Sequence, residues 1–264
     1  MTIASDRTMS NKVPLVTAAF WIIKILATTV GETGADYLNF NVGLGLTLTA
    51  TVMTVVLVAV LALQLRQSRY VPWIYWLVVV FLSIVGTLIT DLMTDNLGVN
   101  LYGSAAAFLI ALIVTFVAWH RSEHTLSIHA IDTRSREAFY WAAILFTFAL
   151  GTAAGDLLSE QIGLGYAKSG LIFGGGIALI TLGYYAKVLG PVLAFWLAYI
   201  LTRPLGASLG DFLTQAPKAG GLGLSTMLVS GIFVALILVL VTYLTVTGKD
   251  RLPGERESAS AAGR

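Results

Sequence analysis

Four aspartates occupy equivalent places in this sequence, and they are the residues with the most chemistry to offer. Asp36, Asp91, Asp156 and Asp211 each stand fifteen residues after a tryptophan: Trp21, Trp76, Trp141 and Trp196. Ten residues after each tryptophan comes a glycine: Gly31, Gly86, Gly151 and Gly206. Carboxylates gathered around an axis can bind or pass a cation, or carry protons. The structural alternative is an aspartate that holds a turn or a neighbouring helix. A carboxylate near the C-terminal end of its own helix is disfavoured by the helix dipole, which weakens that alternative.

The first and fourth copies carry further charge. Lys24, Thr28, Glu32 and Asp36 recur every four residues, so they share one helix face. Arg203 precedes Pro204, Ser208 and Asp211. A proline there is expected to kink its helix and free a backbone carbonyl. Glu32 and the four aspartates exceed Lys24 and Arg203 by three charges when all are ionised, which favours a cation or protons over an anion. Glu32, Asp36, Asp91, Asp156 and Asp211 are therefore the candidate binding residues, with Lys24 and Arg203 as internal counter-ions. The alternative is a buried network in which the two bases only neutralise acids. Copies two and three offer the weaker stripes Ser83, Thr87, Thr90 and Thr147, Thr152. This asymmetry argues for one site near repeats one and four rather than a fourfold pore.

The elements that must position these groups are membrane helices. Of 264 residues, 57% are hydrophobic and 11% charged, with a mean hydropathy of +0.83. A soluble domain carries about a quarter charged residues, so lipid is the expected solvent. Eight segments approach the roughly 20 apolar residues that a bilayer requires: 13–38, 44–65, 72–93, 101–119, 138–158, 169–186, 191–213 and 222–247. The sixth is short and contains Gly174, Gly175 and Gly176. Arg7 and Lys12 precede the first apolar run as in a signal peptide, but Lys24 interrupts it and no small-residue cleavage site follows, so it reads as a retained span.

Twelve basic residues fall on one side of this arrangement and two, Lys168 and Lys218, on the other. The positive-inside rule then puts both termini in the cytoplasm. The tail beyond residue 247 reads as disordered. Spans two, four, six and eight lack charge, so the odd spans are expected to line an interior and the even ones to shield them from lipid. A small residue four positions after each repeat glycine (Ala35, Thr90, Gly155, Gly210) suits close helix packing. The tryptophans read mostly as an interfacial belt; the alternatives are helix packing, from their fixed phase relative to the aspartates, and a π-face cage for an organic cation.

The copies begin 55, 65 and 55 residues apart, as for a four-helix unit that was itself duplicated. Each contains two spans, so all four point the same way, as parallel rather than inverted repeats. In this fourfold Trp–Gly–Asp spacing the chain resembles an uncharacterised family of bacterial membrane proteins. Its members carry four tandem repeats of unknown function, each of two transmembrane segments with a marked tryptophan. The resemblance covers about residues 13–247 and implies a fold outline and a bacterial membrane location, but no activity. The expected fold is all-α, with eight transmembrane helices as four parallel two-helix repeats around a polar interior.

Other chemistry finds little support. There is no cysteine, and no phosphate loop, dinucleotide fingerprint, nucleophile elbow or zinc-protease motif, so neither an enzyme nor a cofactor is expected. His120 and His124 have metal-compatible spacing, but a solvated connector explains them more simply. Asp95 and Glu160, just past spans three and five, read as loop charges. The expected partners are the lipid bilayer and a small cation, not nucleic acid. The leading expectation is a transporter or exporter for a divalent metal or protons in the bacterial inner membrane. The alternative is a non-transporting scaffold or sensor whose polar network serves helix packing.

Overall fold

The computed structural model describes residues 10–251. Arg7, Arg256, Arg264 and the rest of the expected cytoplasmic tail from residue 252 lie outside the described residues. Eight long helices follow in chain order: α1 (Ala18–Asp36), α2 (Leu46–Arg66), α3 (Pro72–Asp91), α4 (Leu101–Glu123), α5 (Arg134–Asp156), α6 (Tyr166–Tyr185), α7 (Pro191–Thr214) and α8 (Thr226–Thr247). Seven are long and apolar enough to cross a membrane. The exception is α1, which carries Lys24, Glu32 and Asp36.

Local signals explain the starts. Thr17 caps α1 by accepting from the Phe20 amide, and Asn100, Thr133 and Ser225 cap α4, α5 and α8 in the same way. Pro72 and Pro191 open α3 and α7, where a missing N–H costs nothing. Helix α1 begins later than the expected span because residues before Thr17 are not helical. Helix α6 begins earlier, at Tyr166, so Lys168 lies in its first turn. Helices α4 and α5 reach into the expected loop 120–137, to Glu123 and from Arg134.

The helices form two shells. Helix α1 packs on α3, α3 on α5, α5 on α7, and α7 back on α1, which closes a ring of four. Each even helix packs against the odd helix that follows it, α2 on α3, α4 on α5 and α6 on α7, while α8 returns to α1. Between 56% and 61% of the apolar stretches of α3, α5 and α7 are buried, against 17–22% for the even helices. The even helices instead present exposed apolar side chains such as Val55, Ile110, Leu171 and Val239. Without membrane-like surroundings these surfaces would be far too apolar; the chain is a multi-pass membrane protein.

One contact is used four times to build the ring. Gly31 lies against Ser83, Gly86 against Phe148, Gly151 against Arg203, and Gly206 against Thr28. In each case the repeat glycine of one odd helix receives the residue seven places after the tryptophan of its neighbour. A methyl group on any of the four would overlap that neighbour. Hydrogen bonds cross the same seams: Thr28 Oγ1 donates to the Thr202 carbonyl at 3.3 Å and Thr90 Oγ1 to the Ala149 carbonyl at 3.0 Å.

After Asp36, Asp91 and Asp156 the helices widen into π turns, over Tyr37–Asn41, Leu92–Asn96 and Leu157–Gln161. Helix α7 shows no such turn and stays α-helical through Pro204 to Thr214. Gly45 and Gly165, at φ +75° and +77°, then turn the chain into α2 and α6 in a conformation that a side chain would oppose.

The ring contacts make a graded prediction. Gly206→Ala, which meets the Thr28 backbone as well as its side chain, is expected to cost about 1–3 kcal/mol through overpacking. Gly175→Ala, which meets nothing within 4 Å, is expected to be neutral or slightly stabilising. Thermal melts of the two detergent-purified variants test this; equal melting temperatures would contradict the assigned seam.

Candidate functional site

Each odd helix presents one residue to the ring every four positions, and the four helices together build layers. The first contains Phe20, Tyr75, Tyr140 and Phe195, all buried, with the Tyr75 and Tyr140 hydroxyls 2.6 Å apart. Trp76, Trp141 and Trp196 pack around it and are buried too. They therefore do not form an exposed interfacial belt; their rings fill the space between neighbouring helices. Only Trp21 is half-buried.

The second layer is Lys24, Val79, Ile144 and Tyr199, each fully buried. The Lys24 amine lies 3.9 Å from the centre of the Phe148 ring and 4.3 Å from that of Tyr199. These rings are nearly parallel, with centroids 6.4 Å apart. A desolvated ammonium gains from such faces. The structure thus sets Lys24 between aromatic rings, and among the described residues it makes no ion pair with a carboxylate.

The third and fourth layers hold the other internal base. Arg203, fully buried in the third layer with Thr28, Ser83 and Phe148, reaches up into the fourth. There its Nη2, with two N–H groups, is shared among three acceptors: Glu32 Oε2 at 3.0 Å, Thr152 Oγ1 at 2.7 Å and Thr87 Oγ1. Its Nη1 donates to the Thr28 carbonyl at 3.4 Å. Thr87 stands on α3, across the ring from α7. Glu32, Thr87 and Thr152 are the eleventh residues after their tryptophans; the fourth repeat has Ala207 at that step.

The repeat aspartates form the last layer. Asp36, Asp91 and Asp156 are half-buried and Asp211 is buried. This end of the ring is therefore partly open, and Asp95 and Glu160 stand exposed on the π turns beyond it. Glu32 is brought to Arg203, whereas the four aspartates make no ion pair among the described residues. No three His, Asp or Glu side chains among the described residues surround a point as metal ligands would. His120 and His124 belong to the end of α4, and the neighbouring acids Glu123 and Asp132 are held by Arg136 at 2.9 and 2.7 Å.

The tryptophan end is covered. Lys12 and Glu137, each 1% exposed, form an ion pair, and Glu137 also accepts from Gln64 at 3.2 Å and Trp141 at 3.5 Å. The Lys12 amide donates to the Ile131 carbonyl, the Leu15 amide to the Asp250 carbonyl, and Tyr70 to the Asp250 carboxylate at 2.6 Å. Burial and the adjoining Asp250 charge hold the Tyr70 phenol well above its ordinary pKa. The N-terminal segment, the α4–α5 loop and the segment after α8 are thereby tied together across one end of the ring.

A family model described as a repeat of unknown function, DUF347, matches residues 19–70, 74–125, 139–188 and 194–250. The chain belongs to the DUF347 family. No curated protein and no solved structure matches it. Each DUF347 match takes in one odd helix and the even helix after it, so the family unit is one two-helix hairpin. The ring contacts join these units: an even helix packs on the odd helix of the next DUF347 repeat.

Sequence spacing singled out Glu32, Arg203 and the aspartates. It did not single out Thr87 and Thr152 as partners of Arg203, Phe148 and Tyr199 as the seat of Lys24, or the Lys12–Glu137 pair. Counting in fours from the residue before each tryptophan would have collected the layers. The Lys12–Glu137 pair had no such signal.

That pair carries a prediction. Glu137→Gln leaves the Lys12 ammonium buried without a counter-charge and is expected to destabilise by about 3–5 kcal/mol. Adding Lys12→Met should recover most of the loss. Denaturation of both proteins in detergent is the check; a double variant as unstable as the single one would contradict the pairing.

Proposed function

We propose that this protein is a membrane transporter or exporter for a small cation, working through intramembrane carboxylates. The observation that carries the reading is a charged centre built where lipid surrounds the protein. Arg203 and Glu32 meet inside the ring, one turn below a layer of four aspartates open toward one end. Burying such groups is costly, and a purely packing role needs no carboxylates beyond Glu32.

In this reading the DUF347 repeats run parallel to one another around a polar interior, with the ring axis near the membrane normal. The fourfold glycine contact supports the arrangement. The basic residues between repeats support cytoplasmic termini, and the family resemblance supports a bacterial inner membrane. Asp36, Asp91, Asp156 and Asp211 gather the cation, Glu32 receives it deeper in, and Arg203 competes for Glu32 so that the site can empty. Lys24, buried below between Phe148 and Tyr199, helps close the interior beyond Glu32 until the ring rearranges. The covered tryptophan end and the open aspartate end fit a state with access from one side only.

A second reading, a non-transporting scaffold or sensor, draws on the same Arg203 contacts, because they tie three repeats to the fourth. Flux separates the two. Asp36 suits the test because its side chain makes no hydrogen bond or ion pair among the described residues, so Asp36→Asn should leave the fold intact. Cation flux in everted vesicles carrying a pH probe and a panel of ions should appear with the wild-type protein. In the Asp36→Asn variant it should fall to the level of vesicles lacking the protein. No flux from folded wild-type protein with any ion would favour the scaffold.

A further inference from the structure

The atoms around Arg203 Nη2 form a cation seat in their own right. Three oxygens from three repeats converge on this one nitrogen: Glu32 Oε2, Thr87 Oγ1 and Thr152 Oγ1. Thr87 has two acceptors for its one proton, the Ser83 carbonyl at 3.2 Å and Glu32 Oε2 at 3.5 Å, and Thr152 donates to the Phe148 carbonyl at 3.3 Å. A hydroxyl has one proton and two lone pairs, so Thr152, and Thr87 when it donates to the nearer Ser83 carbonyl, turn lone pairs toward the centre. The Thr28 carbonyl adds a fourth acceptor at the guanidinium. Arg203 enters where the fourth repeat has the small Ala207 in place of an oxygen-bearing side chain.

The charge and type of this ligand set define what it would take. Oxygen ligands select hard cations. One carboxylate with two hydroxyl oxygens at Nη2, and a carbonyl beside them at Nη1, carries a single negative charge and so matches a single positive one. Divalent sites bring more carboxylates to the ion, and here no three acidic or imidazole groups converge. The aspartates, one helical turn away, can attract a cation without coordinating it directly.

We propose that the seat of Arg203 Nη2 is a binding site for a monovalent alkali cation, which Arg203 fills as a tethered competitor. The inference narrows the transport reading to alkali ions and rests on that reading for its purpose, but binding is measurable without flux. When the guanidinium withdraws, the oxygens of Glu32, Thr87 and Thr152 are left facing the vacated Nη2 position, with the Thr28 carbonyl beside it at the Nη1 position.

The test is a thermal-shift titration of purified Arg203→Gln protein with sodium, lithium and potassium, N-methylglucamine holding ionic strength constant. The melting temperature should climb with the logarithm of at least one alkali ion's concentration. Wild-type protein, with its seat filled, should show little change. Adding Glu32→Gln should abolish the climb, and adding Thr152→Val should shift it to higher concentration. No alkali ion exceeding N-methylglucamine, or calcium or manganese acting at lower concentration, would overturn the proposal. If Arg203→Gln fails to fold in every medium, Arg203→Lys takes its place, since a shorter ammonium competes less well for the same oxygens; a flat titration there overturns the proposal equally. Vesicle flux without stabilisation would leave the transporter reading standing and this site refuted, and stabilisation without flux the reverse.

Discussion

A guanidinium removed from water must keep its hydrogen bonds and its counter-charge, and inside a membrane-spanning ring only neighbouring helices can supply them. Arg203 meets most of this constraint, its Nε alone lacking a partner among the described residues, by drawing on all three other repeats at once: Glu32 and Thr28 from α1, Thr87 from α3 and Thr152 from α5. The reach is possible because the odd helices are packed almost backbone to backbone at the four glycines. The Arg203 side chain stem itself fills the contact opposite Gly151. Packing and charge pairing are therefore one device here. A wider ring would leave the arginine short of its partners, and a ring without the arginine would leave the buried Glu32 without its ion-pair partner.

The four repeats share a backbone plan but divide the chemistry. At the third layer they present Thr28, Ser83, Phe148 and Arg203; at the fourth, Glu32, Thr87, Thr152 and Ala207. The one base and the one acid are on adjacent helices α7 and α1, the seam closed last in chain order. Two hydroxyls complete the shell, and an alanine leaves the entry free. Phe148, opposite α1, supports the Lys24 ammonium instead. The result is a single off-centre polar site inside a frame with fourfold spacing. The π turns obey the same division: they follow the aspartates of the first three repeats and are missing from the fourth, whose helix carries Pro204.

Much of this frame was legible in the sequence. The fixed Trp–Gly–Asp spacing marked the repeats, and the confinement of charge to odd spans separated inner from outer helices, because hydrocarbon tolerates charge poorly. Glycine at a fixed step identified the close seams. What stayed hidden depends on which helices face each other across the ring. Lys24 shares a helical face with Glu32 and so invited pairing with acids, yet its side chain meets Phe148 and Tyr199. The tryptophans have the residue type of an interfacial belt, and the packing alternative that their fixed phase offered is the one the structure favours: the rings of Trp76, Trp141 and Trp196 are buried against Phe20, Tyr75, Tyr140 and Phe195. Lys12 and Glu137 lie far apart in sequence and outside the repeat spacing, so no periodicity could connect them.

Glu32 and Arg203 face each other across the seam between the first and last repeats, so their contributions to stability should be coupled. A double-mutant cycle on stability, with Glu32→Gln, Arg203→Gln and the combined variant unfolded in the same detergent, measures that directly. A coupling energy of about 1–3 kcal/mol, within the range for contacting residues, is expected. Additive losses, with coupling indistinguishable from zero, would contradict it.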